Sequence, residues 1–183
     1  MILIGGSAGS LEIILDAISF LPENANYCCV VIVHRKSSTE SILEELFASK
    51  TRLPVKEVED KETIVPGTIY IAPADYHLLF ETERTFSIDA SEKIHFSRPS
   101  IDVSFESASE VFGSSVIGIL LSGANADGAK GLQKIERAGG MVIIQNPETA
   151  EVSYMPEQGL KLVERPVILD GNSIGAYLSN LVK

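Results

Sequence analysis

Short apolar runs alternate along the chain with stretches whose apolar residues recur at helical spacing. Met1–Ile4 reads as a first strand, stopped by Gly5 and Gly6. Leu11, Ile14, Leu15 and Ile18 then fall at i, i+3, i+4 and i+7, one face of a helix that ends near Pro22. Cys28–Val33 is rich in β-branched residues without alternation, the pattern of a strand covered on both faces. Strand, helix and strand make a βαβ unit, which implies a right-handed parallel crossover.

The alternation continues beyond His34. Ser37-Ser38-Thr39-Glu40 opens a second helix, with Ile42, Leu43, Leu46 and Phe47 on its inner face. Val55–Val58 and Thr68–Ala72 read as strands separated by the Pro66-Gly67 turn. Leu78–Glu81, Thr85–Asp89 and Lys93–Phe96 read as short hairpin strands. Pro99-Ser100 opens a helix carrying Ile101, Phe105, Ala108 and Phe112 on one side. Val116–Leu121 is a second fully apolar strand, followed by a helix over Ala129–Ala138 with Leu132 and Ile135 inward. A strand over Met141–Ile144, a short helix over Glu157–Val163 and a strand over Pro166–Leu169 follow. Asn172 is placed to cap a terminal helix bearing Ile174, Tyr177, Leu178 and Leu181. The pattern predicts a doubly wound, mostly parallel α/β sheet with helices on both faces. This is a Rossmann-like three-layer sandwich, with a short antiparallel hairpin insertion near residues 78–97.

Composition narrows the function classes. The 183 residues match one ordinary domain, so residues 1–183 are expected to form a single unit. An apolar fraction of 45% and a charged fraction of 22% argue against disorder, collagen and coiled coil. Fifteen Lys and Arg against 25 Asp and Glu give a net charge of −10, which repels phosphate backbones and anionic lipid heads. Nucleic acid is therefore not an expected partner. Tyr27–Val33 and Val116–Leu121, the longest apolar runs, are far too short to span a bilayer, so no membrane insertion is expected. The first residues have no basic segment of the kind that opens a signal peptide. Cys28 and Cys29 are adjacent inside an apolar run, as buried strand residues of a reducing compartment would be, and a cytoplasmic location is expected.

Candidate chemistry sits just past three predicted strands, where open α/β sheets gather their working residues. Gly5-Gly6-Ser7-Ala8-Gly9 fits the G-x-S-x-G pattern of a strand–turn–helix nucleophile elbow, whose following helix offers amide N–H groups to an oxyanion. His34, the earliest of three histidines, follows the second strand. Ser122-Gly123-Ala124-Asn125-Ala126-Asp127-Gly128 follows the Val116–Leu121 strand and ends in an acid. Serine, histidine and aspartate at neighbouring strand ends suit nucleophilic acyl transfer. The imidazole takes the hydroxyl proton, and the carboxylate fixes its tautomer and stabilises the imidazolium. The order Ser…His…Asp differs from the Ser…Asp…His order of α/β-hydrolases. Each piece also has a plainer reading. Ser7 can equally cap the following helix, and Asp127 the next one. The Gly5–Ser10 loop can cradle a phosphate, although no lysine follows it. His77 and His95 read as structural or surface groups. Arg98 could steer an acidic substrate, with a solvated arginine as the default. No C-x-x-C, H-x-H or H-E-x-x-H spacing suggests a metal site.

Five collinear segments resemble the catalytic domain of the chemotaxis protein-glutamate methylesterases, the CheB type. They are Ile4–Gly9, Val33-His34, Gly67–Leu78, Arg98–Asp102 and Leu120–Ala129, and the resemblance covers nearly the whole chain. It implies Ser7 as nucleophile, His34 as general base and Asp127 as orienting acid. It also implies hydrolysis of glutamate γ-methyl esters on the cytoplasmic helices of methyl-accepting chemoreceptors, deamidation of certain receptor glutamines, and no need of a cofactor. Members of this family carry an N-terminal receiver domain, for which this chain has no room, so a free-standing relative or a fragment is expected. Three positions depart from the family pattern. Ala8 stands where a threonine is common and leaves only amide donors for the oxyanion, Ser10 where a glycine is usual, and Ala124 where a methionine lines the pocket wall. Those departures keep two other readings open, a binding module that retains the fold without catalysis and an esterase on other small or protein esters. Oligomeric state is not legible.

Overall fold

Strands buried on both faces need apolar residues at every position, and β1 (Ile2–Gly6) and β2 (Cys29–Val33) are buried at all five of theirs. The structure, a computed structural model, describes residues 1–23, 26–35 and 40–182. Its main sheet adds β3 (Val55–Glu57), β4 (Ile69–Ile71), β7 (Ile117–Leu120), β8 (Met141–Gln145) and β9 (Val167–Leu169), and all its neighbours pair parallel. The order is β3-β4-β2-β1-β7-β8-β9. A separate antiparallel pair, β5 (His77–Phe80) and β6 (Phe86–Asp89), supplies the predicted hairpin.

Helices cover both faces. Side-chain alternation along β1 sends Leu3 to one side and Ile2 and Ile4 to the other. On the Leu3 side lie α3 (Ile101–Phe112), α4 (Ala129–Arg137), α5 (Tyr154–Leu162) and the hairpin, through Phe105, Leu132, Met155 and Phe86. The other side holds α1 (Leu11–Ser19), α2 (Glu40–Ala48) and α6 (Ile174–Leu181), through Ile14, Phe47 and Leu178.

Several local expectations change. The glycines do not stop β1, because Gly5 and Gly6 stay in the ladder opposite Ile32 and Val33. Ile101 and Phe105 of α3 pack where a Gly5 side chain would sit. Lys93–Phe96 is not a strand. Ile94 and Ser97 exchange both backbone hydrogen bonds around His95 and Phe96, whose φ values of 49° and 63° close a tight turn. Ile42 is exposed, and among the described side chains of α2 Phe47 is the fully buried one. The proposed Ser37–Thr39 start of that helix lies outside the described residues. The short helix begins at Tyr154 rather than Glu157. Asn172 does not cap α6; it lies within a 3₁₀ turn over Gly171–Ser173 that leads into the helix.

Candidate active site

Strand order reverses at β1. The chain runs outward from β1 through β2 to β3 at the edge, fills the gap with β4, then returns to β7 on the opposite side of β1. The carboxyl ends of β2, β1 and β7 therefore border the crevice where open α/β sheets bind ligands. Ser7 follows β1 directly and His34 follows β2, with Gly6 in register with Val33. The His34 N–H donates to Gly6 O at 3.3 Å, and the Ser7 N–H donates to Ser122 O at 2.9 Å. Backbone pairing thus ties Ser7 between the histidine strand and the loop that carries Asp127.

That loop brings the carboxylate to the imidazole. His34 Nε2 lies 2.8 Å from Asp127 Oδ2, with Asp127 fully buried and His34 nearly so. Asp127 does not cap its own helix, because Gly128 occupies that position with φ 95°. A Cβ on Gly128 would meet Leu120 and Ile101, so glycine is needed for both conformation and space. The Asp127 carboxylate instead faces the N-terminus of α3. It accepts from the Ile101 N–H at 2.7 Å, the Asp102 N–H at 3.0 Å and the Ser100 hydroxyl at 2.8 Å. Burial alone would raise its pKa, but the bonds from His34, the two amides and Ser100 outweigh it and hold the carboxyl below its ordinary value. Asp127 is therefore a fixed anion, and Nε2–H is the ring donor that satisfies it. Nδ1 is left as the ring acceptor for a hydroxyl proton.

Ser7 is half-buried, and Ser10 rather than Ser7 stands at the start of α1. The Ser10 N–H and hydroxyl both donate to Ser7 O, at 3.1 and 2.7 Å, folding the loop back on itself. Gly9 has φ 76°, and a Cβ there would lie 2.5 Å from Glu151 Cβ. Among the described residues, the amides of Ala8 and Gly9 donate to no protein acceptor. Ser7 Oγ makes no hydrogen bond to His34, a contact that in such sites commonly closes only around substrate. Ala8 and Ala124 are both exposed on the surrounding loops.

Three supporting residues were not assigned from sequence. Ser100, seen only as a helix opener, holds Asp127. His77 is buried, accepts the Ser100 N–H on Nδ1 at 3.1 Å and donates from Nε2 to Glu92 O at 3.0 Å. Ser122 donates from Oγ to Ala8 O at 2.7 Å and accepts the Val152 N–H at 2.9 Å, linking the serine loop to the segment before α5. All three lie in segments that carry the family resemblance, Gly67–Leu78, Arg98–Asp102 and Leu120–Ala129, and that was the sequence signal for them. His95 is exposed, 3.7 Å from Asp102, and takes no part. Among the described residues no group of three or more His, Cys, Asp or Glu is arranged to hold a metal, and no helix is long and apolar enough to cross a membrane. Cys28 and Cys29 are free and buried; burial pushes the Cys28 thiol up to about 11 and Cys29 further, which leaves both unreactive.

An open cleft of about 540 Å³ adjoins the imidazole, with His34 and Arg35 on one wall and the Ser97-Arg98 segment on another. A larger hollow of about 790 Å³ opens near Met141, at the amino-terminal end of β8, where none of these groups lie.

The model of the CheB methylesterase family matches residues 2–178. A protein of Leptospira interrogans, provisionally named a protein-glutamate methylesterase/protein-glutamine glutaminase, is 39% identical over 98% of this chain and 93% of its own length. The Thermotoga maritima protein of the same name is 34% identical over the whole chain, which spans 54% of that longer relative. The crystal structure of the Thermotoga maritima CheB methylesterase catalytic domain superposes with a TM-score of 0.92 at 33% identity, covering 99% of this chain and 97% of that one.

Proposed function

The chain belongs to the CheB methylesterase family, and we propose that Ser7, His34 and Asp127 carry out its ester hydrolysis. The protein is a protein-glutamate methylesterase, with protein-glutamine glutaminase as a second activity of the same site. In this reading it works in the cytoplasm on the cytoplasmic helices of methyl-accepting chemoreceptors. The observation that supports the residue assignment most strongly is the 2.8 Å contact between His34 Nε2 and a carboxylate already fixed by α3, at the strand end next to Ser7.

The chemistry follows from that arrangement. Ser7 Oγ attacks the side-chain carbonyl carbon of the glutamate ester, and its proton passes to His34 Nδ1. Asp127, ionised and immobile, holds Nε2–H and stabilises the imidazolium. Negative charge on the carbonyl oxygen falls to backbone donors, for which the Ala8 and Gly9 amides at the entrance to α1 are the candidates, since the Ser7 amide is committed to Ser122 O. Collapse breaks the ester C–O bond, and the imidazolium protonates the departing methanol. For a glutamine the leaving group is ammonia. Water deprotonated by His34 then cleaves the acyl-enzyme and releases glutamate.

Methanol release from methylated receptor tests the assignment. Replacing Ser7 by Ala is expected to abolish it while leaving the fold intact, since the side chain makes no structural bond. Undiminished release by Ser7→Ala would remove Ser7 as nucleophile.

A further inference from the structure

The cleft beside His34 contains cationic donors that the hydrolytic steps do not use. Arg35 follows the histidine directly, and its side chain is only 7% exposed. Its Nη2 donates to Glu57 Oε2 and to Ala72 O, while Nε and Nη1 are buried and meet no acceptor among the described residues. Arg98 donates twice from Nη1, to Ala90 O and Ser91 O at 2.6 Å each, and its buried Nε likewise has no partner among the described residues. Lys93 adds an exposed ammonium on the same wall. A buried guanidinium with unmet donors is costly unless something satisfies it. Arg35, half-exposed Arg98 and Lys93 gather three cations on one cleft in a chain of net charge −10. Glu57 pairs with Arg35, Asp75 shares the cleft and Asp89 lies close to Arg98, so what the cleft offers an incoming carboxylate is the unmet donors of Arg35 rather than a surplus of charge.

We propose that this cleft is a carboxylate subsite, in which Arg35, Lys93 and Arg98 receive an acidic side chain that neighbours the target glutamate on the substrate helix. The subsite rests on the hydrolase reading for its place beside the reacting ester, and it deepens that reading by naming a feature of the preferred substrate. The planar fork of a guanidinium suits a carboxylate, and a charge-assisted bond in a partly desolvated cleft is stronger than its surface counterpart. The cleft wall is held to the catalytic loop, because Asn125 Nδ2 donates to His95 O and Ser97 Oγ at 3.3 Å each. An acid seated there orients the ester relative to Ser7 and His34.

The test uses helical peptides carrying one glutamate γ-methyl ester, with either Glu or Gln at each neighbouring position within one helical turn. Affinities are measured with the Ser7→Ala protein, which holds the ester without turning it over. At one position at least, Glu is expected to bind about tenfold more tightly than Gln. Adding Arg35→Gln or Lys93→Gln should bring that ratio close to one, and Lys93 is exposed enough that its substitution leaves the fold unharmed. Equal affinity for Glu and Gln at every position, or a preference that survives both substitutions, would overturn the subsite. Turnover of the same peptides by the unsubstituted protein separates the two claims. Binding preference without ester cleavage would refute the hydrolase and leave the subsite standing.

Discussion

Asp127 is the residue on which most of the site converges. It accepts from His34, Ser100 and two α3 amides, so an amide in its place would turn a donor toward at least one of them. Asp127→Asn is expected to lower turnover by about 10⁴, as the wrong tautomer does in other triads, and to lower stability as well. Comparing kcat with the urea midpoint checks both. Its depressed pKa also sets a pH dependence. A carboxyl held below its unfolded value contributes stability that is complete above about pH 4 and is lost as pH falls through the folded value. The stability gap between the wild type and Asp127→Asn should therefore narrow on acidification, and a gap constant down to the acid limit would contradict this. Ser7, His34 and Asp127 were visible in the sequence because each follows an apolar run closely enough to mark a strand end. Ser100 and His77 were not, because their importance lies in contacts across the fold, Ser100 with a carboxylate 27 positions away and His77 with the Ser100 N–H 23 positions away.

Among the elements, α3 matters most to the site. Its first turn supplies the amides that fix Asp127, and Ser100 both donates to that carboxylate and accepts weakly from the Val103 N–H. Ser100→Ala is expected to cost about 1 kcal/mol of stability and to reduce turnover by more than that loss explains, as chemical denaturation and kcat together would show. A turnover loss no greater than an unrelated cap deletion would contradict the link. Pattern reading located nearly every element but misjudged what glycine and local polar residues do. Gly5 and Gly6 looked like strand breakers, whereas α3 packs where a Gly5 side chain would sit and Ser10 where a Gly6 side chain would, so the strand runs without side chains there. Lys93–Phe96 looked like a strand because Ile94 and Phe96 alternate with polar neighbours. Two residues at positive φ turn it instead and leave Phe96 almost fully exposed at the cleft rim.

For the molecule as a whole, the parallel sheet was legible from the first βαβ unit and the doubly covered strands. The strand order was not, since no local pattern says that β7 returns beside β1. Yet that return creates the site, because it sets the serine, the imidazole and the carboxylate at the ends of three adjacent strands. The overall negative charge argues against polyanionic partners but says nothing of the cleft beside His34, where only the folded arrangement brings Arg35, Lys93 and Arg98 together. The most direct test of the assembled centre is covalent labelling with a fluorophosphonate followed by location of the adduct. One adduct is expected, on Ser7, absent from Ser7→Ala and formed much more slowly by His34→Gln. A folded protein that hydrolyses the receptor ester while Ser7 stays unlabelled, or that labels equally fast without His34, would contradict that expectation.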